Sequence, residues 1–158
     1  MGFHKAKRLI LTQLLAVCVF VWAAYVAAEE SLETLVVQTS EGKEIEYKIE
    51  IADTTESRRT GLMYRREMPS NQGMLLDFEA PQKVAIWMKN TYLSLDIVYI
   101  DENGRIIKIV PDAVPLSTRT MPSNARVRAV LELNAGQTAY HGISAGDKVI
   151  HRVFEQQD

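Results

Sequence analysis

The run Asp96-Ile97-Val98-Tyr99-Ile100-Asp101 constrains this chain more than any other stretch. Four consecutive apolar side chains leave neither face of a strand polar, so the segment suits a central strand covered on both sides. Asn103-Gly104 follows at once, and both residues tolerate positive φ. They predict a type I′ hairpin from this strand to another over residues 105–110.

The chain has 158 residues, enough for one domain with a sizeable core. Its start reads as something else. Lys5, Lys7 and Arg8 precede an almost wholly apolar stretch from Leu9 to Ala24, and Val26-Ala27-Ala28 then meets Glu29-Glu30. That is the layout of a secretory signal peptide over residues 1–28, which leaves residues 29–158 as a single exported domain, periplasmic or otherwise extracytoplasmic. The alternative is an uncleaved N-terminal membrane anchor, because the apolar run approaches a bilayer span of about 20 residues. A lipoprotein signal fits less well, with Val17 before Cys18 where a small residue is expected.

Cys18 is the only cysteine and lies in the leader. The domain therefore offers no disulfide, thiol nucleophile or thiolate ligand, and holds together by core burial. The formal charge of the whole chain is −2, and loss of the three leader cations makes it about −5. Such a domain lacks the basic footprint of a nucleic-acid binder.

Ile45-Glu46-Tyr47-Lys48-Ile49-Glu50-Ile51 alternates as a half-buried strand. Asp53 and Glu56 read as a capping box opening a short helix, with Arg58 and Arg59 in its last turn and Gly61 as its stop. Strands are expected over residues 73–78 and 83–88, with Ala80-Pro81-Gln82 as a turn between them. Residues 111–126 carry three prolines and no periodicity, which reads as a long loop. Residues 127–133 alternate again. Asn134 and Gln137 suggest a second capping pair before a short helix ended by Gly142, and residues 148–154 form the closing strand. The fold expected is mainly β, a β-rich α+β domain. About seven short strands, joined as antiparallel hairpins, curl into a barrel-like sheet with two short helices.

Several blocks then occur in order: Arg58-x-x-Gly61-Leu62-Met63-x-Arg65, Gly73-Met74-Leu75, Trp87-Met88-Lys89-Asn90-Thr91, Leu95-Asp96-Ile97, Val130-Leu131-Glu132-Leu133-Asn134-Ala135-Gly136, and Gly142-Ile143-x-x-Gly146-Asp147-x-Val149. On these the chain closely resembles the bacterial and archaeal domain of unknown function 192 family. Ser94 stands where that family usually has proline, and Leu76 where an aromatic is common. The resemblance implies a compact β-rich domain, often exported. It implies no reaction. The shared glycines are most simply read as backbone needs, and Trp87, Met88 and Leu62 as core.

Lys89, Asn90, Thr91 and Asp96 form a polar cluster between two strongly apolar segments. One expectation is a pocket in which Lys89 and Arg58 bind an anionic group, Asn90 and Thr91 supply hydrogen bonds, and Asp96 faces the pocket or pairs with Lys89. The function implied is a non-catalytic binding or accessory domain of the cell envelope. Its partner would be a small anionic molecule, a cell-wall fragment or a protein surface, with the membrane touched only through an uncleaved leader. A second reading is a small hydrolase using Asp96 with Glu132 or Asp77 as acid and base. A third is an ion pair of Asp96 with Lys89 or Arg58 that only fixes the loop. His141 and His151 carry no metal-ligand pattern, and His141 is explained by a helix C-terminus. No cofactor is indicated.

Overall fold

The computed structural model describes residues 32–155. The signal-peptide reading of residues 1–28 lies outside the described residues. Seven strands form one sheet in the order β5-β4-β6-β3-β2-β1-β7. In chain order these are β1 (Glu33–Gln38), β2 (Glu44–Ala52), β3 (Gln72–Ile86), β4 (Leu95–Ile100), β5 (Ile106–Ala113), β6 (Met121–Asn134) and β7 (Lys148–Ile150). Helix α1 (Thr55–Thr60) joins β2 to β3, and α2 (Gln137–His141) follows β6. The sheet curls into a half-barrel. Its two edges meet at one end, where Arg105 bridges Lys148 and the Val149 amide donates to the Gly104 carbonyl.

The doubly covered strand is β4, and all six of its residues are buried. It lies between β5 and β6, both antiparallel to it. One face of the sheet carries a core drawn from all seven strands, including Leu35, Tyr47, Leu75, Val98, Leu131 and Val149. The other carries a second core, in which Ile97, Tyr99, Leu76 and Val130 pack under Leu62 and Met88. Each buried Ile, Leu or Val stabilises by about 1.5–3 kcal/mol, so covering both faces of β4 commits the chain to this sheet.

Strand β2 alternates as its sequence demands, with Ile45, Tyr47 and Ile49 buried between exposed neighbours. Its pairing with β3 is parallel, however, not part of a hairpin series. A parallel neighbour requires a crossover, and α1 with the loop after it supplies that. Helix α1 starts one residue later than expected. Thr54 is the cap, Ser57 completes the box, and the Asp53 side chain takes no part.

Three other local readings are corrected. The expected turn at Ala80-Pro81-Gln82 is an irregularity within β3, which continues to Ile86. The expected loop over residues 111–126 is mostly strand, since β5 runs to Ala113 and β6 begins at Met121. Pro111 is tolerated because β5 is an edge strand; Pro81 and Pro122 lie where β3 and β6 pair with each other but no longer with β2 and β4. Residues 78–86 and 121–127 thus leave the main sheet as a two-stranded arm. The hairpin between β4 and β5 exists, but only Gly104 has positive φ. Its amide returns to the Asp101 carbonyl, and the Asp101 carboxylate accepts from the Asn103 and Arg105 amides. That is a three-residue loop closed by a left-handed glycine, not a type I′ turn.

The closing strand is also shorter than expected. It stops at Ile150, and His151 caps a 3-10 turn over Arg152–Phe154.

Candidate functional site

Asp96 is fully buried and far from free. Its Oδ1 accepts from the amides of Asp112 (3.1 Å) and Gly136 (3.2 Å). Its Oδ2 accepts from the Thr138 amide (2.9 Å) and hydroxyl (2.7 Å). The carboxylate therefore opens α2, a task the sequence reading gave to Asn134. Asn134 instead donates to the carbonyls of Met68 and Pro69. Asp96 neither faces a pocket with Lys89 nor pairs with Lys89 or Arg58. It fixes the loop through backbone amides.

Glu132 is Asp96's counterpart on the opposite face. In the β4–β6 ladder Asp96 stands opposite Leu133, and Ile97 stands opposite Glu132. Adjacent rungs point to opposite faces, so the two carboxylates are separated by the sheet. Asp77 is separate again. Arg128 holds it through Nε to Oδ1 at 2.8 Å and Nη2 to Oδ2 at 3.0 Å. No two of the three carboxylates considered for acid–base work face each other across a cleft.

The cleft lies where the arm leaves the sheet, beside α1. Its inner part, about 340 Å³, is lined by Arg58, Arg59, Gly61, Trp87 and Thr91, over a floor of Leu62, Leu76, Ile86 and Glu132. An outer part of about 600 Å³ continues past Trp87 to Tyr64, Lys89 and Asn90. Thr55, Arg59, Thr60, Met63 and Trp87 line both. The capping box and the Gly61 stop set the length of α1, and that places Arg58 and Arg59 on the cleft. Gly61 has φ 48° and ψ −133°, a conformation open to glycine alone. On the other wall Asn90 adopts φ 57°, the left-handed turn that Asn accepts more readily than most residues.

The polar groups differ in how far they are committed. Arg58 donates to the Asp53 and Asp77 carbonyls, stands over the Phe78 ring and approaches Glu79 at 3.8 Å. Asn90 donates to the Tyr64 hydroxyl at 2.9 Å, and Thr91 to the Lys89 carbonyl at 3.3 Å. Lys89 sits 5.3 Å from the Trp87 ring centroid. Arg59 and Lys89 are exposed and make no ion pair among the described residues.

Glu132 is only 6% exposed. Burial pushes its carboxyl up to about 7, and the nearby Arg65 charge offsets this only in part. Arg65 itself is clamped by both carboxylate oxygens of Glu50. Of the five ligand residues expected from sequence, Arg58, Lys89, Asn90 and Thr91 border the cleft and Asp96 does not. Arg59, Trp87 and Glu132 border it as well. Arg59 was read chiefly as a helix-end charge, Trp87 chiefly as core, and Glu132 as an acid–base partner; Trp87 is in fact 39% exposed.

The two histidines lie apart. Burial and the Lys43 charge lower the His141 pKa; the Lys43 Nζ lies 3.4 Å from Nδ1 and also donates to the His141 carbonyl. Lys43 thus brings a cation to the end of α2. His151 is buried, and its Nε2 lies 3.1 Å from Glu33.

Two solved structures share this architecture. One is a protein from Sinorhizobium meliloti 1021, provisionally described as a transcription regulator. It is 41% identical with a TM-score of 0.75, and the match covers 75% of this chain and 92% of that one. The other is a protein of unknown function from Novosphingobium aromaticivorans DSM 12444. It is 32% identical with a TM-score of 0.73, over 76% of this chain and 85% of that one. No curated protein matches. The model of the DUF192 family, described as "Uncharacterized ACR", matches residues 36–151. The chain belongs to that family.

Proposed function

We propose that this protein is a non-catalytic binding domain of the cell envelope, whose ligand is a small molecule carrying an anionic group. The observation that carries the reading is the convergence of uncommitted cations on one apolar-floored cleft. Arg59 comes from α1 and Lys89 from the segment after β3, where it stands over the Trp87 ring, and Glu56 is the one acid on that outer lining. Cations on both walls of a cleft attract an anion more strongly than the same charges on an open surface. Arg58, held by two carbonyls, stiffens the rim. The basic and apolar leader supports an envelope location.

A nucleic-acid role, as the description of the Sinorhizobium protein would suggest, has less behind it. The net charge of −2 provides no basic stripe for a phosphate backbone. Hydrolysis through Asp96 has no geometry in its favour, because that carboxylate is used up by amides.

The test is thermal denaturation of the full chain with inorganic phosphate, succinate and soluble cell-wall glycan fragments, repeated on Lys89→Ala and Arg59→Ala. A probe at about 100 times its Kd stabilises by about 2.7 kcal/mol. The reading requires an anion that raises the parent's Tm and raises that of each variant less. It fails if no anion shifts the parent, or if the shift is the same in all three proteins.

A further inference from the structure

The cleft floor carries a group that an anion alone does not explain. Glu132 sits in the centre of the sheet, opposite Met74 on β3 and Ile97 on β4. It is 6% exposed and lines the inner cleft among Leu62, Leu76 and Ile86. Its side chain has no hydrogen-bond partner among the described residues, and the one cation acting on it, Arg65, is held by Glu50. The Gly61 backbone passes over it so closely that a Cβ there would lie 3.7 Å from Oε2. An unpaired carboxylate in such a place costs stability, as its upward-shifted pKa reflects. A leucine or methionine of similar size would remove that cost.

We infer that Glu132 is the deep recognition group of the cleft and receives the ammonium group of an amphoteric ligand of amino-acid to dipeptide size. This rests on the anion-binding reading for the other end of the molecule. The ligand's carboxylate lies toward Arg59 and Lys89, and its amine reaches the floor. The inner volume of about 340 Å³ suits a ligand of that size. The ammonium supplies the counter-charge and hydrogen bonds that the protein withholds, so binding removes the penalty of the empty state. Charge decides the orientation. Arg59 and Lys89 outweigh Glu56 on the outer lining and Glu132 lies below, so a ligand with the opposite arrangement meets an excess of like charge at both ends.

The test compares free dipeptides such as alanyl-alanine with their N-acetylated forms, using calorimetric titration of the full-length protein. The expected result is binding of the free amine with N-acetylation weakening it by about tenfold or more. Affinity for the free dipeptide should rise from about pH 6 to about pH 7 as Glu132 ionises, while the ligand's amine, which titrates near about 8, still holds its proton. Glu132→Gln should lose both the discrimination and the pH dependence. The comparison on the parent protein needs no variant to fold. Equal binding of acetylated and free forms overturns the inference, as does affinity that falls with pH, which would mean that a neutral Glu132 donates to a ligand carboxylate. Suppose succinate binds, Lys89→Ala weakens it and the amine makes no difference: the anion site stands and the Glu132 assignment falls. If neither succinate nor dipeptides bind at millimolar concentration, both fall.

Discussion

Asp96 and Glu132 stand on neighbouring rungs of one ladder, in the most buried part of the sheet, and have opposite fates. Asp96 meets three amides and a hydroxyl. Glu132 meets none, and looks into a cleft. The first is a carboxylate the fold needs, because it organises the entry to α2 and the end of β5 together. The second is one the fold would be more stable without. Two buried acids therefore mark different things, and the presence or absence of partners tells them apart.

The largest effect expected is at Asp96. Asp96→Ala leaves the Gly136, Thr138 and Asp112 amides unpaired inside the protein, and should cost about 3–5 kcal/mol in urea unfolding. Asp96→Asn should also destabilise, since its NH2 meets donors. A loss below about 1 kcal/mol would show that these amides find water or another acceptor, and would remove the contrast with Glu132.

Next comes Glu132→Gln, whose effect has the opposite sign at high pH. Burial pushes the native carboxyl up to about 7, whereas the unfolded one stays at the ordinary 4.5. Between those values the native state holds the extra proton, so the parent's stability falls as pH rises through this window and levels off above it. The penalty at pH 8 is about 3 kcal/mol, and the glutamine variant should recover up to that amount. Near pH 4 the two proteins should unfold alike. A variant less stable than the parent at both pH values would mean that Glu132 has structural partners after all.

A smaller effect is expected at Thr138→Val. It removes the hydroxyl's 2.7 Å bond to Asp96 and leaves the amide bonds intact, so about 1–2 kcal/mol should be lost. The loss should disappear when the change is made on top of Asp96→Ala, since the two groups share one network.

The fold was more legible than the site. The alternation of Ile45, Tyr47 and Ile49, the apolar run through β4 and the glycine stops report local chemistry, and local chemistry decides them. Pro81, Pro111 and Pro122 misled because a proline's meaning depends on whether a second strand lies beside it, and that is decided by residues far along the chain. Asp96 was singled out as polar amid apolar neighbours, but its partners Gly136 and Thr138 lie at the start of α2, 40 and 42 positions away. Lys89, Asn90 and Thr91 fall at the cleft because they follow directly on the end of the arm strand that forms one of its walls. Arg59 and Glu132 were harder to place. One looks like an ordinary helix-end charge, and the other shares the second face of an alternating strand with Arg128 and Val130. A covering layer from Leu62 and Met88 buries that face, and no period-two pattern announces it.

The smallest effect tests how the two regions communicate. Arg65 is the one cation acting on Glu132, and it is shared with Glu50 at about one-third exposure. A pair that wet contributes less than about 1 kcal/mol, so Arg65→Gln should barely change the unfolding midpoint at pH 5. Its effect should appear in the titration instead. Without the guanidinium, burial acts unopposed and the Glu132 carboxyl should titrate above 7, measurable by carbon NMR of the labelled side chain. A Glu132 midpoint that stays put or falls would mean that water reaches the cleft floor and screens Arg65. Glu132 would then be a solvated acid rather than a poised one, and its difference from Asp96 would be one of exposure alone.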